Sequence, residues 1–289
     1  MDKSAIKQHL DEHGWCIIPN VLTREEIEEA KQLFYDWQKT IPNHDFMHKT
    51  VDPHGIYKFH EAGHQQHAWF IRTRPSVQQV YRDLWNTDEL VVSFDGSCYI
   101  SPELAKKDNI WTHSDQSPLV NKLACYQGFV ALTENKERTL VVYDKTHLIH
   151  HEYFKAKNQM GKGHWQRVDV ADIIASEPIK RVLHVPAGAL VIWDSRTFHQ
   201  NRYGAPRSEE RIVQYVCFMP KNDERNTPAM QKKRRKYFDE RRTTTHWPYP
   251  IHVNGKQPQT YGDTSKLINY DSLLKPNLER FIDDIEKLI

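Results

Sequence analysis

A histidine and a carboxylate stand two residues apart in the segment WTHSDQSP, which covers residues 111–118. On an extended segment this spacing directs both side chains to the same side, so His113 and Asp115 can bind one metal ion together. The same pattern also arises by chance in loops, and the pair alone is a weak signal. A third ligand from a distant strand and a cation for a substrate carboxylate would strengthen it.

Both of those features occur farther along the chain. Residues 189–193 predict a strand, His199 comes where that strand ends, and Arg211 begins the next apolar strand. His113, Asp115 and His199 are the ligand types of the two-histidine, one-carboxylate site of non-haem Fe(II) oxygenases. Such a site leaves positions on the metal open for a 2-oxo acid and for O2. We therefore predict Fe(II) as the metal, with 2-oxoglutarate and O2 as cosubstrates.

The far carboxylate of 2-oxoglutarate needs a fixed cation. Arginine suits this role because its planar guanidinium can bind a carboxylate through two parallel hydrogen bonds. We assign the role to Arg211 and name Arg207 as the alternative, since strand boundaries predicted from sequence slip by a few residues. Gln127, in the strand after the metal segment, and Asn201, just after His199, are further candidates for contact with 2-oxoglutarate.

Three separated segments of the chain resemble the phytanoyl-CoA dioxygenase family of Fe(II)/2-oxoglutarate oxygenases. They are HLDEHGWCIIPNVLTREEIEEAKQLF, WTHSDQ, and PAGALVIWDSRTFHQN with the arginine that follows, and they extend over roughly residues 6–218. The resemblance implies a double-stranded β-helix core, also called a jelly-roll, with a cupin-like fold. It also implies that His113, Asp115 and His199 hold the metal and that Arg211 anchors 2-oxoglutarate.

The resemblance further implies a reaction, in which decarboxylation of 2-oxoglutarate to succinate and CO2 is coupled to hydroxylation of a substrate carbon. Related halogenases have a small residue in place of the carboxylate ligand, so Asp115 favours hydroxylation. One segment departs from the family. Members often have Gly-Gly-x-Leu-x-Val-x-Pro-Gly-Ser-His, whereas this chain has ERTLVVYDKTH at residues 137–147, which alters the expected turn but not the metal ligands.

The elements that must position these residues follow from the hydrophobic pattern. Thr23 and Glu26 form a capping box at the start of an amphipathic helix, and many short strands follow an N-terminal helical block. This order predicts a single α+β domain over residues 1–289. Its parts are a mainly helical support (1–88), the jelly-roll core (89–220) with an insertion at about 148–178, and a C-terminal extension (221–289).

Composition limits the class of protein. The 289 residues are 38% hydrophobic and 11% aromatic, and the formal net charge of +2 gives no general argument for nucleic-acid binding. Cys16, Cys98, Cys125 and Cys217 lie singly in apolar segments, as expected for reduced core thiols. The sequence has no secretory leader and no apolar run near the roughly 20 residues of a membrane span. We therefore expect an intracellular, cytoplasmic protein without a membrane span.

Two other groups of residues compete with this interpretation. His60, His64 and His67 could share one helix face as a zinc site, but Gly63 and the loop-like surroundings favour scattered loop histidines. A basic run consists of Lys232, Lys233, Arg234, Arg235 and Lys236. It resembles a nuclear-localisation or phosphate-binding patch, although its acidic helical neighbours favour a solvated helix face. We expect a small-molecule substrate, and a nucleic acid or another polyanion is not favoured.

Two alternative functions stay open. A non-redox metal-dependent hydrolase on a cupin-like barrel would use the same ligands to hold zinc and activate water, without 2-oxoglutarate. A catalytically silent binding module would keep the barrel as a scaffold, although the complete set of ligands argues against this. The fold does not name the substrate, so an acyl-CoA, an amino acid, another small metabolite and a macromolecule all remain candidates.

Overall fold

The computed structural model describes residues 2–51 and 53–289, which form a mixed chain of helices and antiparallel strands. The helices are α1 (Lys3–His13), α2 (Arg24–Gln38), α3 (His44–Thr50), α4 (Gln66–Arg72), α5 (Pro75–Trp85), α6 (Thr146–Ala156), α7 (Val170–Ala175), α8 (Pro228–Asp239) and α9 (Ile282–Leu288). The strands are β1 (Trp15–Ile18), β2 (Ile56–Tyr57), β3 (Leu90–Val92), β4 (Ser97–Ile100), β5 (His113–Ser114), β6 (Tyr126–Ala131), β7 (Leu140–Tyr143), β8 (Gln166–Arg167), β9 (Lys180–Val182), β10 (Leu190–Asp194), β11 (His199–Asn201), β12 (Arg211–Val216) and β13 (Phe218–Pro220). Short 3₁₀ turns lie at Pro53–Gly55, Ala62–His64, Glu177–Ile179, Thr264–Lys266, Tyr270–Ser272 and Glu279–Phe281.

Two antiparallel sheets form the body of the described chain. The larger sheet has the strand order β1-β10-β6-β12-β4-β2, and the smaller sheet has the order β8-β5-β11-β7-β9. β13 and β3 form a separate pair. Neighbouring strands in each sheet are mostly distant in sequence. Strands that carry candidate site residues therefore lie side by side although many residues separate them along the chain.

An apolar cluster lies between the two sheets. Val191 and Val213 of the larger sheet pack in one buried cluster with Leu140 and Val142 of the smaller sheet. Ile192 and Ile212, which adjoin them on the same strands, point the opposite way, as strand alternation requires, and pack with the N-terminal helices. The inner faces of the two sheets therefore face each other, and polar residues at the same faces can line an interior cavity.

The N-terminal helices cover the outer face of the larger sheet. α2 begins at the predicted capping box, in which the Glu26 N–H donates to Thr23 Oγ1 (3.2 Å) and the Thr23 N–H donates to the Glu26 carboxylate (2.9 Å). Phe34 of this helix is fully buried, and its ring stacks on Tyr57 of β2. α1 ends at Gly14, whose φ of 84° is a left-handed conformation that glycine adopts without strain.

The N-terminal part also supplies both edges of the larger sheet, which the sequence did not predict for β2. β1 pairs with β10 at one edge, and β2 pairs with β4 at the other. β2 has only two residues, too few for a periodic pattern that would identify a strand.

Two long apolar segments, each predicted to form one strand, form two strands each in the structure. Residues 89–101 form β3 and β4 with a break at Asp95 and Gly96, and residues 211–220 form β12 and β13 with a break at Cys217. Gly96 lies tightly against the neighbouring chain, since a Cβ atom there would be 1.8 Å from the Tyr57 carbonyl oxygen. This close approach requires glycine and directs the preceding residue toward the interior.

The predicted insertion is partly built into the smaller sheet. α6 begins at Thr146, slightly before the expected boundary at about residue 148. β8, within the insertion, pairs with β5 at the sheet edge. The insertion therefore lies next to the strand that carries His113.

The basic run in α8 is not the uniformly solvated face that the sequence predicts. Arg234 is fully buried and donates hydrogen bonds to the Pro248 carbonyl (3.2 Å) and to Asn226 Oδ1 (3.0 Å). Arg235 pairs with Glu286 of α9. These arginines therefore join α8 to other segments of the C-terminal extension. Over residues 2–51 and 53–289, no helix combines the length and the apolar character that crossing a membrane requires.

Candidate active site

Two strands of the smaller sheet bring the predicted metal ligands together. His113 begins β5 and His199 begins β11, and the two residues face each other directly in the antiparallel register. Asp115 follows β5, and its Oδ2 lies 3.6 Å from His113 Nε2 and 3.3 Å from His199 Nε2. Among the described residues, these three are the sole group of three or more His, Cys, Asp or Glu whose donor atoms all lie within 4.8 Å.

Backbone carbonyls fix the orientation of both imidazoles. His113 Nδ1 lies 3.1 Å from the Trp111 carbonyl oxygen, and His199 Nδ1 lies 2.9 Å from that of Thr197. Because a carbonyl only accepts hydrogen bonds, Nδ1 is the donor in each ring, and Nε2 is the nitrogen that can bind a metal once it has lost its proton. Histidines held in this way are typical metal ligands. Both Nε2 atoms lie on the side of the Asp115 carboxylate.

Gln127 contacts the carboxylate ligand. It lies on β6, and its Nε2 donates to Asp115 Oδ2 over 3.1 Å. Burial acts to raise the pKa of Asp115, but the charge of His113 and the hydrogen bonds from His113 and His199 outweigh it and hold this pKa well below its usual value. The carboxylate is therefore ionised, as a metal ligand must be. The predicted contact of Gln127 with 2-oxoglutarate remains a prediction.

Arg211 is fully buried at the start of β12, as the sequence predicts for its position. Its Nε donates to Asn135 Oδ1 (3.1 Å), and its Nη1 lies 3.6 Å from Cys98 Sγ. Its Nη2 is buried and has no partner in the part of the chain that the structure describes. Arg207 is exposed in the preceding loop. The structure thus places Arg211, and not Arg207, in the interior.

Asn201 connects the Arg211 region with the metal ligands. It lies two residues after His199 on β11, and its Nδ2 donates to the Tyr215 hydroxyl (3.0 Å) and lies 3.9 Å from Cys98 Sγ. The Cys98 thiol therefore separates Asn201 from the Arg211 guanidinium. Asn201 and Tyr215 both line the interior cavity, whereas Arg211 lies behind them.

The metal ligands open onto a cavity of about 310 Å³ with aromatic walls. The Trp111 and Trp165 rings stack on His113, with centroids 4.8 and 5.5 Å from its ring. Trp193 lies 5.2 Å from the His199 ring. A cavity of this size, with apolar walls and few polar groups, is typical of a site for a small organic molecule.

Several cavity residues were not found from the sequence. Thr244, Thr245, His246 and Asn254 come from the C-terminal extension, which the sequence assigned no role. Asp95 and Gly96 come from the break between β3 and β4, and Lys58 follows β2. No periodic pattern or motif marks these residues.

The three histidines of the alternative zinc site have separate environments. His64 Nε2 lies 3.1 Å from the Arg242 carbonyl oxygen, and His67 Nε2 lies 2.9 Å from the Ser97 hydroxyl. Burial lowers the pKa of both to about 3, so both are neutral at physiological pH. Their Nε2 atoms serve separate local hydrogen bonds, and the three histidines do not form a metal-binding group among the described residues.

Among known sequences, the chain is similar to a protein of a biosynthesis cluster. No protein-family model matches the chain. Ava biosynthesis cluster protein O of Aspergillus versicolor is 28% identical over 220 residues, which cover 70% of this chain and 69% of that protein.

Several solved structures are similar to this chain in fold. GlcNAc Inducible Gene 2 (GIG2, DUF1479) from Candida albicans is similar over 99% of this chain and 75% of its own, with a TM-score of 0.66 and 13% identity. HygX from Streptomyces hygroscopicus, solved with nickel and 2-oxoglutarate bound, is similar over 75% of this chain and 87% of its own (TM-score 0.52, 13% identity). The non-heme monooxygenase ThoJ, solved as the apo protein, is similar over 75% and 78% (0.51, 14%). This chain therefore shares its fold with a non-heme oxygenase.

Proposed function

We propose that this protein is an Fe(II)/2-oxoglutarate-dependent dioxygenase of the phytanoyl-CoA dioxygenase type, with a double-stranded β-helix core, and that it hydroxylates a small organic molecule. The observation that carries this proposal is the convergence of His113 Nε2, His199 Nε2 and the Asp115 carboxylate at the wall of an aromatic cavity. The fold shared with HygX and ThoJ supports it.

The donor set fits a divalent first-row metal ion. Two neutral imidazoles and one carboxylate are the ligands that Fe(II) has in non-haem oxygenases, and they leave room for further ligands on the open side. His113, Asp115 and His199 would hold the ion. When bound, Fe(II) would supply the redox chemistry that couples decarboxylation of 2-oxoglutarate to oxidation of the substrate.

The surroundings of Arg211 fit the far carboxylate of 2-oxoglutarate. A buried guanidinium nitrogen without a partner is unfavourable unless a ligand accepts its hydrogen bond. Arg211 Nη2 is such a nitrogen, and Asn201 lies on the cavity side of it. Arg211 would anchor the carboxylate, and Asn201 with Tyr215 would lie beside the bound molecule.

The other residues prepare the site for reaction. Gln127 holds one oxygen of Asp115, which keeps the second oxygen free. Trp111, Trp165 and Trp193 form apolar walls beside the ligands, which suit the organic part of a substrate. Asp115 fills the ligand position that a halide would need, and we therefore assign hydroxylation rather than halogenation.

Anaerobic Fe(II) binding and succinate release test the proposal. His113→Ala and His199→Ala should each abolish tight Fe(II) binding and 2-oxoglutarate-dependent succinate formation, while circular dichroism shows an intact fold. His184→Ala is a matched control, because His184 is an exposed histidine that pairs with Glu134 on the surface. Wild-type iron affinity in either ligand variant would refute the metal centre. Zinc-dependent hydrolysis without 2-oxoglutarate would support the hydrolase instead.

A further inference from the structure

Four buried polar atoms on cavity residues have no partner in the described part of the chain. One is the donor Trp193 Nε1, and the three that can accept a hydrogen bond are Asp95 Oδ1, Thr245 Oγ1 and His246 Nε2. Asp95 is only 6% exposed. Buried polar atoms in folded proteins nearly always have hydrogen-bond partners, and each exception requires an explanation. The three acceptors on the lining of one cavity indicate a ligand that donates to them.

Hydrogen bonds join the two segments that carry these atoms. The Thr244 N–H donates to the Phe94 carbonyl (2.9 Å), and the Phe94 N–H donates to Thr244 Oγ1 (2.9 Å). Asp95 directly follows Phe94, while Thr245 and His246 directly follow Thr244. The three unpartnered acceptors therefore belong to adjacent segments, although about 150 residues separate them in the chain.

The C-terminal segment is held in place from its other side as well. Thr244 and Val253 form an antiparallel bridge, and the Thr245 N–H donates to the His252 carbonyl (2.9 Å). The Asn254 N–H donates to the Thr243 carbonyl (2.9 Å). The segment is thus a fixed wall of the cavity, and its polar atoms need little reorganisation to bind a ligand.

This wall lies close to the metal ligands. Asp95 and His246 line the same cavity as His113, Asp115 and His199. In keeping with this, the charge of Asp115 acts to raise the pKa of both Asp95 and His246. A group bound between Asp95 and His246 would therefore hold the rest of its molecule in front of the proposed metal site.

The three acceptors match a primary ammonium group in number and type. An ammonium has three N–H donors, and a carboxylate oxygen, a hydroxyl oxygen and an imidazole nitrogen can each accept one. Burial raises the pKa of Asp95 to about 7, although a hydrogen bond from Ser93 and the charge of Arg72 act to lower it, so a bound cation would stabilise the carboxylate form. The nearby Arg72 donates its hydrogen bonds to the backbone oxygens of Gly63 and Asp95, not to the Asp95 carboxylate. Tryptophan walls also favour a cation.

We propose that Asp95, Thr245 and His246 form a specificity subsite that binds the primary ammonium group of the substrate. This inference rests on the proposed function, because it supplies the substrate class of that same cavity. The subsite would select amines over alcohols of the same shape. Asp95 would provide the charge, and Thr245 and His246 would fix the direction of the remaining N–H groups.

Calorimetric titration of 2-phenylethylamine and its alcohol analogue, 2-phenylethanol, tests the subsite in protein loaded with Mn(II) and 2-oxoglutarate. Wild-type protein should bind the amine at least about tenfold more tightly than the alcohol. Asp95→Asn should weaken amine binding roughly ten- to a hundredfold and leave the alcohol nearly unchanged. Thr245→Val, which keeps the side-chain shape, should weaken amine binding several-fold. Asp45→Asn removes an exposed carboxylate and is the matched control.

Equal affinity for the two probes in wild-type protein, or no binding of either, would overturn the subsite. Unchanged amine affinity in both Asp95→Asn and Thr245→Val would do the same. Lys58→Met tests whether this chain's own ammonium fills the site, since Lys58 also lines the cavity. A large gain of amine affinity in Lys58→Met would contradict the proposal, and an unchanged affinity supports it.

The same titrations without Mn(II) and 2-oxoglutarate separate the two proposals. If the wild-type protein failed to bind Mn(II) and 2-oxoglutarate but still preferred the amine in a way that depends on Asp95, the dioxygenase would be refuted and the subsite would remain. Binding of metal and 2-oxoglutarate without an amine preference would refute only the subsite.

Discussion

Three side chains converge on a single oxygen of Asp115. His199 Nε2, His113 Nε2 and Gln127 Nε2 lie 3.3, 3.6 and 3.1 Å from Oδ2. The two histidines are also held by the backbone carbonyls of Trp111 and Thr197, whereas Gln127 holds the carboxylate from the opposite sheet. The metal centre thus depends on one residue that is not itself a ligand.

Gln127→Leu should therefore lower Fe(II) affinity about ten- to a hundredfold, the usual cost of losing a residue that orients a metal ligand. Anaerobic metal titration measures this. Gln32→Leu, which removes an exposed glutamine of α2, should have no effect. If Gln127→Leu bound iron as the wild type does, Asp115 would not need its support.

Arg211→Ala should raise the dissociation constant of 2-oxoglutarate roughly ten- to a hundredfold, since a charge-assisted pair contributes about 1.5–3 kcal/mol. Fe(II) affinity should stay nearly unchanged, because Arg211 contacts none of the metal ligands directly. Arg207→Ala is the matched control, and its exposed side chain predicts little effect. Calorimetry with anaerobic Mn(II) protein reads the binding without turnover. The opposite pattern would move the anchor to Arg207.

At the scale of elements, the break between β3 and β4 shapes the cavity. Gly96 permits contact between this turn and the backbone after β2, and Asp95 beside it faces the interior. The same contact places β2 at the sheet edge. Gly96 thus allows the break between β3 and β4 to pack closely against the edge strand β2.

Gly96→Ala should destabilise the protein by about 1–3 kcal/mol, because the added methyl group would overlap the Tyr57 carbonyl and the backbone must shift. Urea unfolding monitored by circular dichroism gives the difference. Gly255→Ala is the control, since the nearest atom to its Cβ would be 3.8 Å away. Equal unfolding midpoints for the two variants would show that the turn has room to move.

The convergence of His113, Asp115 and His199 could be predicted from sequence because their signals are local. His113 and Asp115 share one short segment, and His199 and Arg211 adjoin apolar strands, although His199 starts β11 instead of ending β10. The wall that carries His246 could not be predicted. Its position depends on hydrogen bonds between Phe94 and Thr244, and distant pairings of irregular segments leave no periodic pattern.

The same limit explains α8. Helical periodicity predicted the helix, and its charges predicted exposure. Arg234 is buried because a segment 14 residues later supplies a carbonyl acceptor at Pro248. An acceptor in an irregular segment cannot be assigned to a particular donor from spacing alone.

The molecule as a whole buries an unusual number of neutral histidines. Burial lowers the pKa of seven of them to about 3 or 4, far below the ordinary value of 6.5: His48, His54, His60, His64, His67, His150 and His246. In the unfolded chain these groups bind protons near pH 6.5, whereas the folded chain excludes them until much lower pH. The unfolded state therefore binds more protons between about pH 4 and 6.5.

Stability should consequently fall as the pH drops from 7 to 5, by at most about 1.4 kcal/mol per pH unit for each histidine. Asp95 acts in the opposite direction, because its raised pKa favours folding at low pH, but it is one group against seven. Urea unfolding at both pH values measures the effect. His64→Gln with His67→Gln should make the midpoint less dependent on pH. An equal midpoint at pH 5 and 7 in the wild type would contradict the prediction.

The stacking of Trp111 and Trp165 on His113 also has an optical consequence. Both indoles lie within 5.5 Å of an imidazole that would bind the ion, and Trp165 is half exposed on the insertion. Bound Fe(II), whose partly filled d shell can accept energy or an electron from an excited indole, should therefore quench the emission of both tryptophans, whereas zinc with its filled d shell should not. Occupation of the proposed centre would then be visible in the fluorescence of two residues that are not themselves ligands.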